Sequence, residues 1–555
     1  MLITAQQTAI STANLFGVTK VVAYAGTGKT TTLESLAKVQ AGQGLSGLSL
    51  VFNKSAEQDA KKRFPKEWVT VKTINGLAHG VVSPRYKGKF RGYSLKSIEV
   101  IKFMGLAWNW IFAKQVLDTL NFWCASDSHE FPKTAMSFNG PPVGPPDMLD
   151  YAAVVAKQLW ERMIDLHDEV PISHDGILKL YQLSQPRLSY PYLMLDEAQD
   201  TNPVTWDIMR RQSSPLVIVG DPYQSIYQFR GACNAMTDAQ AVQTFPLTQS
   251  FRFGQYVAEI ANALLWGFYA ETTPLEGLGP NTRVGPINFL SPHAVISRTN
   301  AAIFSQAVIA MQAGQKIGFI GGVQGYNFNK IVDTWYLMDG QTGEIRDPFL
   351  KDFHNFEQLA EYAENANDLE VKRTIEAVQT YGASVLQIVP AIHEACVQDL
   401  SKAHLTLSTA HKCKGSTLRS VRLADDFPDL LNGQGEMLAT EELSRQEVNL
   451  YYVVLTRATH ELQLNDTMLA FLSSMEMDTD RFRQNAGAAQ YAVVPDRPAA
   501  PEAAAVPLRR IPKAWLPEGG QMPGAFFDES TCQPTPVVAK PSDMPSRGNQ
   551  IDLFS

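Results

Sequence analysis

Residues 23–30, Ala-Tyr-Ala-Gly-Thr-Gly-Lys-Thr, carry two glycines, a lysine and a hydroxyl at the spacing of a phosphate-binding loop, with Ala23 where the general pattern has Gly. Gly26 and Gly28 let backbone N–H groups close around phosphate oxygens, and a following helix adds the positive end of its dipole. Lys29 reaches the β and γ phosphates, and Thr30 offers a hydroxyl to Mg²⁺. Ala25, Thr27 and Thr31 complete the candidate cradle. A second cluster follows in Leu193-Met194-Leu195-Asp196-Glu197-Ala198-Gln199-Asp200, an apolar run ending in adjacent carboxylates. There Asp196 suits Mg²⁺ and Glu197 suits polarising an attacking water. A third stretch, Gly220–Ala232, places Gln224 to sense the γ phosphate and Tyr227, Phe229 and Arg230 to stack on bases and grip a backbone. Taken singly, the acids read as a solvated strand end and the aromatics as core. Downstream of a phosphate loop, both read as nucleotide-driven chemistry.

Such residues need a parallel sheet to hold them. Val18–Val22 reads as the strand before the loop, and Leu33–Val39 as the start of the helix after it. Leu48–Phe52, Val69–Val71, Tyr192–Leu195 and Leu216–Val219 are short apolar runs of the kind buried in parallel sheets, and Ala56–Phe64 is a basic helix. Residues 81–185 break this pattern with aromatic-rich helical segments, Ser97–Leu120 and Leu149–Leu166, around the turn-rich Asn139–Pro146. A second α/β region has strands expected at Ala294–Ser297, Leu405–Ser408, Val421–Leu423 and Leu462–Leu464. It is interrupted by Gly321-Gly322 and a long helical stretch, Phe356–Val397. The organisation expected is therefore a first domain of 1–80 and 186–247 with an insertion at 81–185, and a second of 248–304 and 401–475 with an insertion at 305–400. A Pro/Ala-rich tail, 485–555, cannot bury much apolar surface and is expected to be disordered.

The 555 residues are 45% hydrophobic and 19% charged, the composition of a soluble globular chain. No apolar run approaches the ~20 residues that span a bilayer, and no signal-like N-terminus is found. Five cysteines without paired metal spacing argue for a reducing compartment, the cytoplasm. A net charge of −8 does not advertise nucleic-acid binding, but a narrow strand channel needs only local positive charge and stacking surfaces.

The Asp196–Asp200 box and Gly220–Ala232 resemble motifs of the UvrD/Rep-like superfamily 1A DNA helicases. Further matches follow in order at Leu247–Gly254, Ser408–Gly415 and Glu447–Ala458. Val51–Ser55, Gln249–Gly254 and Phe319–Gly322 make the likeness nearest to the F-box DNA helicase branch, without an F-box ahead of the motor. The resemblance implies two RecA-like domains with parallel sheets, each with an insertion, and ATP with Mg²⁺ as cofactors. It implies 3′–5′ helicase or translocase activity on single-stranded DNA in repair, recombination or replication. By resemblance, Gln6 or Gln7 reads adenine, Phe251 stacks on it, and Arg252 and Arg457 reach the γ phosphate from a closing cleft. Phe52, Asn53, Thr73, Tyr227, Phe229, Arg230, Thr409 and His411 fall at single-strand contacts. Ala23 matches the branch. Asn75 stands where the family has His, and Thr417 where Lys-Gly-Leu-Glu ends in Glu, which places nucleotide-to-DNA coupling in question. Two other readings fit the same motifs: a translocase that strips proteins without efficient unwinding, and a clamp-tethered DNA-binding factor with a vestigial ATPase.

The chain ends in Gln550-Ile551-Asp552-Leu553-Phe554, which resembles the peptide by which bacterial replication and repair proteins grip the sliding clamp. That resemblance implies a bacterial or bacteriophage protein.

Overall fold

A computed structural model describes residues 3–483, except 107–109, 139, 143, 229–230 and 366–367. Expectations for Phe229, Arg230, the tail 485–555 and the peptide Gln550–Phe554 therefore lie outside the described residues. All described residues fall within one compact unit, Met1–Ala499.

The architecture is α/β, with two six-stranded parallel sheets. In the first, β1 (Val18–Ala23), β2 (Gly47–Leu50), β3 (Val69–Lys72), β4 (Tyr192–Leu195), β5 (Leu216–Gly220) and β6 (Gln243–Leu247) lie in the order β3-β2-β4-β5-β1-β6. Two short strands, β7 (Gln249–Ser250) and β8 (Glu276–Gly277), pair by themselves. The second sheet holds β9 (Arg283–Val284), β10 (His293–Ser297), β11 (Ile317–Phe319), β12 (Leu405–Thr409), β13 (Leu418–Leu423) and β14 (Ala458–Gln463), ordered β11-β12-β10-β13-β14-β9.

Continuous apolar strands follow from burial on both faces. One face of the first sheet packs Val21, Val219 and Met194 against Leu33 and Leu36 of the helix Lys29–Gly42. The other packs Leu48, Leu193 and Ile218 against Trp206 and Met236. A larger core beneath the second sheet, with Ile260, Leu264, Tyr452 and Phe471, also takes in Tyr24, Ala25 and Ile226 from the first. The two halves thus share apolar packing beside the phosphate loop.

Four differences from the sequence reading have local causes. The edge strand β6 was not expected because Pro246 interrupts its apolar run; only an edge tolerates the missing donor. Strand β11 pairs with Leu405–Leu407, so the second sheet keeps residues assigned to an insertion starting at 305. Ser97–Leu120 is two helices, Ser97–Met104 and Trp110–Ala125, the first closed by Gly105 at φ 61°. Phe356–Val397 is three, Phe356–Asn365, Leu369–Tyr381 and Val385–Ala395, with Gly382 at φ 52° ending the second. No helix among the described residues is long and apolar enough to cross a membrane.

Candidate functional site

The C-terminal ends of β1, β4 and β5 open on one cavity of about 940 Å³, closed from the other side by residues of the second sheet's half. Its floor is the loop after β1. Gly28, at φ 82°, caps the helix Lys29–Gly42, and a Cβ there would meet Gln7 Nε2 at 2.8 Å. Gly26, at φ 76°, leaves 2.4 Å between a built Cβ and Ser250 Oγ. Both positions therefore demand glycine, for conformation and for space. Gly26, Thr27, Gly28, Lys29, Thr30 and Thr31 all line the cavity. Ala25 lies just beneath, its N–H donating to Tyr452 Oη at 3.2 Å.

The two candidate glutamines separate. Gln7 is buried in the helix Ala5–Ser11, donates to Thr27 O at 3.3 Å and closes a capping box with Thr4. Gln6 exchanges two hydrogen bonds with Thr248, donating to its Oγ1 and accepting from its N–H, both at 3.0 Å. Phe251 lies on the cavity wall, and its N–H donates to Gly26 O at 3.0 Å.

Acids and bases converge opposite the loop. Glu197 takes a left-handed backbone conformation, φ 52°, a strained geometry for a residue with a Cβ. Its N–H donates to Asp196 Oδ1 at 2.9 Å, and Gln199 Nε2 donates to its carboxylate. Burial, then the Glu197 charge, pushes the Asp196 carboxyl up. Burial acts the same way on Glu197, but the charges of Lys29 and Lys414 and the Gln199 hydrogen bond outweigh it and hold Glu197 low. Gln224 donates to Asp221 Oδ2 at 2.7 Å and accepts from Arg457 Nη2 at 3.3 Å. The same Asp221 oxygen accepts from Tyr452 Oη at 3.1 Å.

The second sheet's half supplies Arg457, fully buried, which donates through Nε to Val453 O at 2.7 Å. Arg252 donates to Thr456 O at 3.1 Å. Burial and then the charge of Arg457 pull Arg252 down to about 9, and burial lowers Arg457 as well. Two desolvated guanidiniums side by side favour a polyanion between them.

Thr30 and Asp196 offer hard oxygen donors of the kind Mg²⁺ takes. Among the described residues no group of three or more His, Cys, Asp or Glu could hold a metal.

Of the expected strand contacts, Phe52, Asn53 and Tyr227 line the mouth of the cavity. Phe52, 46% exposed, stacks on Tyr227 with ring centroids 5.6 Å apart and planes within 10°. Asn53 Oδ1 accepts from Ala56 N at 2.8 Å and Thr73 Oγ1 from Gly76 N at 3.0 Å, so both cap helices. Thr409 ends β12, and His411 follows on the short helix Ala410–Cys413 with its carbonyl accepting from Tyr227 Oη at 3.4 Å. Asn75 Oδ1 is buried without a partner.

Three side chains escaped the sequence reading. Lys414 ion-pairs with Asp200, donates to Gln224 O and lies 5.1 Å from the Tyr227 ring centroid. Tyr452 joins the phosphate loop to Asp221 across the cleft. Arg63, on the cavity wall, donates to Thr31 Oγ1 at 3.0 Å. Each acts between segments distant in sequence, where spacing gives no signal. Thr417, in place of the family's glutamate, is exposed on the cavity wall.

Comparisons with known proteins agree with the resemblance drawn from the motifs. Residues 164–242 match the family model described as UvrD/REP helicase N-terminal domain. The chain is 32% identical to F-box DNA helicase 1 of Gallus gallus over 81% of this chain and 47% of the relative. It is 29% identical to F-box DNA helicase protein 1 of Schizosaccharomyces pombe, over 84% of this chain and 57% of that one. The ATP-dependent DNA helicase PcrA of Leuconostoc citreum is 26% identical over 34% of the chain and 30% of its own length. The chain thus spans about half the length of the first two relatives. These two also correct the expectation of a bacterial or bacteriophage protein of the cytoplasm. The relatives matched over more than four fifths of the chain are eukaryotic, and a five-residue peptide is too short to outweigh them.

Proposed function

We propose that this chain, similar over most of its length to F-box DNA helicases and over residues 164–242 to the UvrD/REP helicase N-terminal domain, is an ATP-driven motor that moves 3′ to 5′ along single-stranded DNA and unwinds duplex. The observation that carries this reading is the single cavity joining Lys29, Glu197 and Gln224 from the first sheet to Arg457 from the second, with Arg252 beside it. The motor halves are 1–80 with 186–247 and 248–319 with 401–475.

In this reading the loop N–H groups and Lys29 hold the triphosphate, and Phe251 stacks on the base. Gln6, bonded to Thr248, reads adenine, while Gln7, itself on the cavity wall, holds the loop through Thr27. Mg²⁺ held by Thr30 and Asp196 would neutralise phosphate charge. Glu197, kept ionised by Lys29 and Lys414, orients water for in-line attack. Arg252 and Arg457 stabilise the charge developing on the transferred phosphoryl group, and Gln224 reports its presence to Arg457. Closure of the halves on ATP changes the grip of Phe52, Tyr227 and His411 on DNA, and with it that of Asn53, Thr73 and Thr409.

The exposed Thr417 favours a second reading, a translocase that displaces bound proteins without efficient unwinding. Strand displacement and protein removal measured on one substrate separate the two. A role in repair, recombination or replication, and a sliding-clamp contact through Gln550–Phe554, belong to the same proposal. Truncation before Gln550 should leave single-strand ATPase intact while abolishing clamp binding. The direct test is ATPase with and without single-stranded DNA. Stimulation by DNA, lost in Lys29→Ala and Glu197→Gln, supports the motor; DNA binding without turnover identifies a vestigial ATPase.

A further inference from the structure

The box Asp196–Asp200 carries three carboxylates, of which the proposed hydrolysis uses two. The third, Asp200, ends the short helix Ala198–Asp200, lines the nucleotide cavity and is buried. Its N–H donates to Glu197 O at 2.9 Å, so the two acids sit on one tight turn. Asp200 Oδ2 accepts from Lys414 and, at 3.5 Å, from Gln199 Nε2, while Oδ1 is buried with no donor. Gln199 is fixed at its other end, where its Oε1 accepts from Asp221 N at 3.1 Å, so its Nε2 faces the acids. That one nitrogen reaches both Glu197 and Asp200, which sets the two carboxylates beside each other on the cavity wall.

The two carboxylates have opposite proton affinities. A buried carboxylate oxygen without a donor is costly while charged, and a proton relieves it. Burial pushes the Asp200 carboxyl up to about 7 against the Lys414 charge; Glu197 adds to the rise and Lys29 opposes it. Burial acts on Glu197 as well, but Lys29 and Lys414 outweigh it and hold Glu197 low. A carboxylate held low orients a water well and is a poor resting place for its proton.

We propose that Asp200 is the final acceptor of the proton given up by the attacking water, with Lys414 setting how readily it accepts. This inference rests on the DNA-motor reading above. As the water oxygen bonds to the γ phosphorus, the bond from that phosphorus to the β–γ bridging oxygen breaks, and its electron pair leaves with ADP. The water's proton passes Glu197 and comes to rest on Asp200 Oδ1, from which it returns to solvent when the products leave. Lys414 lies 5.1 Å from the ring centroid of Tyr227 at the cavity mouth. A DNA strand that shifts Tyr227 therefore changes the charge facing Asp200, and DNA acts on the proton step.

The test is the pH profile of kcat for single-strand-stimulated ATPase, measured on the full chain between about pH 5.5 and 9. Asp200 accepts a proton only when ionised, so the native rate should fall about tenfold per pH unit below about 7. Asp200→Asn keeps the shape of the side chain. It should lose about 10²-fold in kcat at about pH 8, lose the acid limb, and hold KM for ATP within a few-fold. Lys414→Met removes a charge that opposes burial, so its limb should move to higher pH, while Lys414→Arg should leave the limb in place. Affinity for a slowly hydrolysed ATP analogue checks the fold of each variant. A flat native profile overturns the inference, as does an acid limb that persists in Asp200→Asn or stays put in Lys414→Met. A purely structural Asp200 would lower kcat or affinity without removing the limb. Absence of DNA-stimulated turnover at every pH would sink the motor reading, and this inference with it; turnover with a flat profile sinks this inference alone.

Discussion

In each sheet an interior strand, β1 in the first and β10 in the second, hands the chain to a helix N-terminus, but only one of those two termini is open. After β1 the chain makes a loop with Gly26 and Gly28 at positive φ, and the helix Lys29–Gly42 has no side-chain cap. After β10 the chain turns directly through Arg298-Thr299 into the helix Asn300–Gln312. There Thr299 Oγ1 caps Ala302 N at 3.2 Å. Asp426 accepts from the N–H groups of Arg298 and Thr299 and from Thr299 Oγ1, at 2.8 to 3.0 Å. Glu370 accepts from Asn300 N at 2.9 Å. The second terminus is thus filled by the protein's own carboxylates. A helix dipole over a parallel sheet attracts anions in either place; glycine geometry decides whether the anion is a ligand or a side chain. The second half contributes guanidiniums instead, and in the proposed reading this asymmetry leaves the loop after β1 as the nucleotide site.

The comparison breaks most sharply at Gly28. Gly28→Val adds a Cβ against Gln7 in a conformation that side chains rarely adopt, and ATP affinity should fall by about 100-fold. Isothermal titration with a slowly hydrolysed ATP analogue would show it, and near-native affinity would mean that the loop does not cradle phosphates. At the other terminus, Asp426→Ala strands buried N–H donors. It should cost about 2 to 4 kcal/mol of stability in denaturant unfolding. ATP affinity of the folded fraction should change little.

Lys414 sharpens the account of how the halves communicate. It contacts Asp200 and Gln224 on the nucleotide side and faces the ring of Tyr227 on the rim. As a positioning residue, it predicts a split readout for Lys414→Met. DNA stimulation of kcat should drop about tenfold, KM for ATP should hold, and Lys414→Arg should restore part of the loss. A matched fall in basal and stimulated rates would instead mark a structural role. The smallest effect is expected at Gln7→Ala. Loss of its capping box should lower stability by about 1 kcal/mol without altering the preference for ATP over GTP. Gln6→Ala should relax that preference.

The strands that position the site were legible because a buried parallel strand must be an apolar run. Tyr192–Leu195 matches the structure residue for residue, and most others do within one or two. The phosphate loop and the acids were legible because each is local, with its chemistry inside a few consecutive residues. What stayed hidden was non-local or violated a propensity. Pro246 disguised an edge strand, and Gly318 disguised β11. Tyr452, Lys414 and Asp426 act only through partners far along the chain, which no spacing records. Gln6 and Gln7 were interchangeable in sequence, and only the fold assigns one to Thr248 and the other to Thr27.

The central claim is a nucleotide site with a fixed half that binds and an opposing half that drives turnover. Its most direct test measures ATP binding and DNA-stimulated turnover together in Lys29→Ala, Arg252→Ala and Arg457→Ala. Lys29→Ala should lose both. The two arginine variants should bind ATP within a few-fold of the native chain, yet lose about 10³-fold or more in DNA-stimulated kcat. Native turnover in Arg457→Ala would contradict the account.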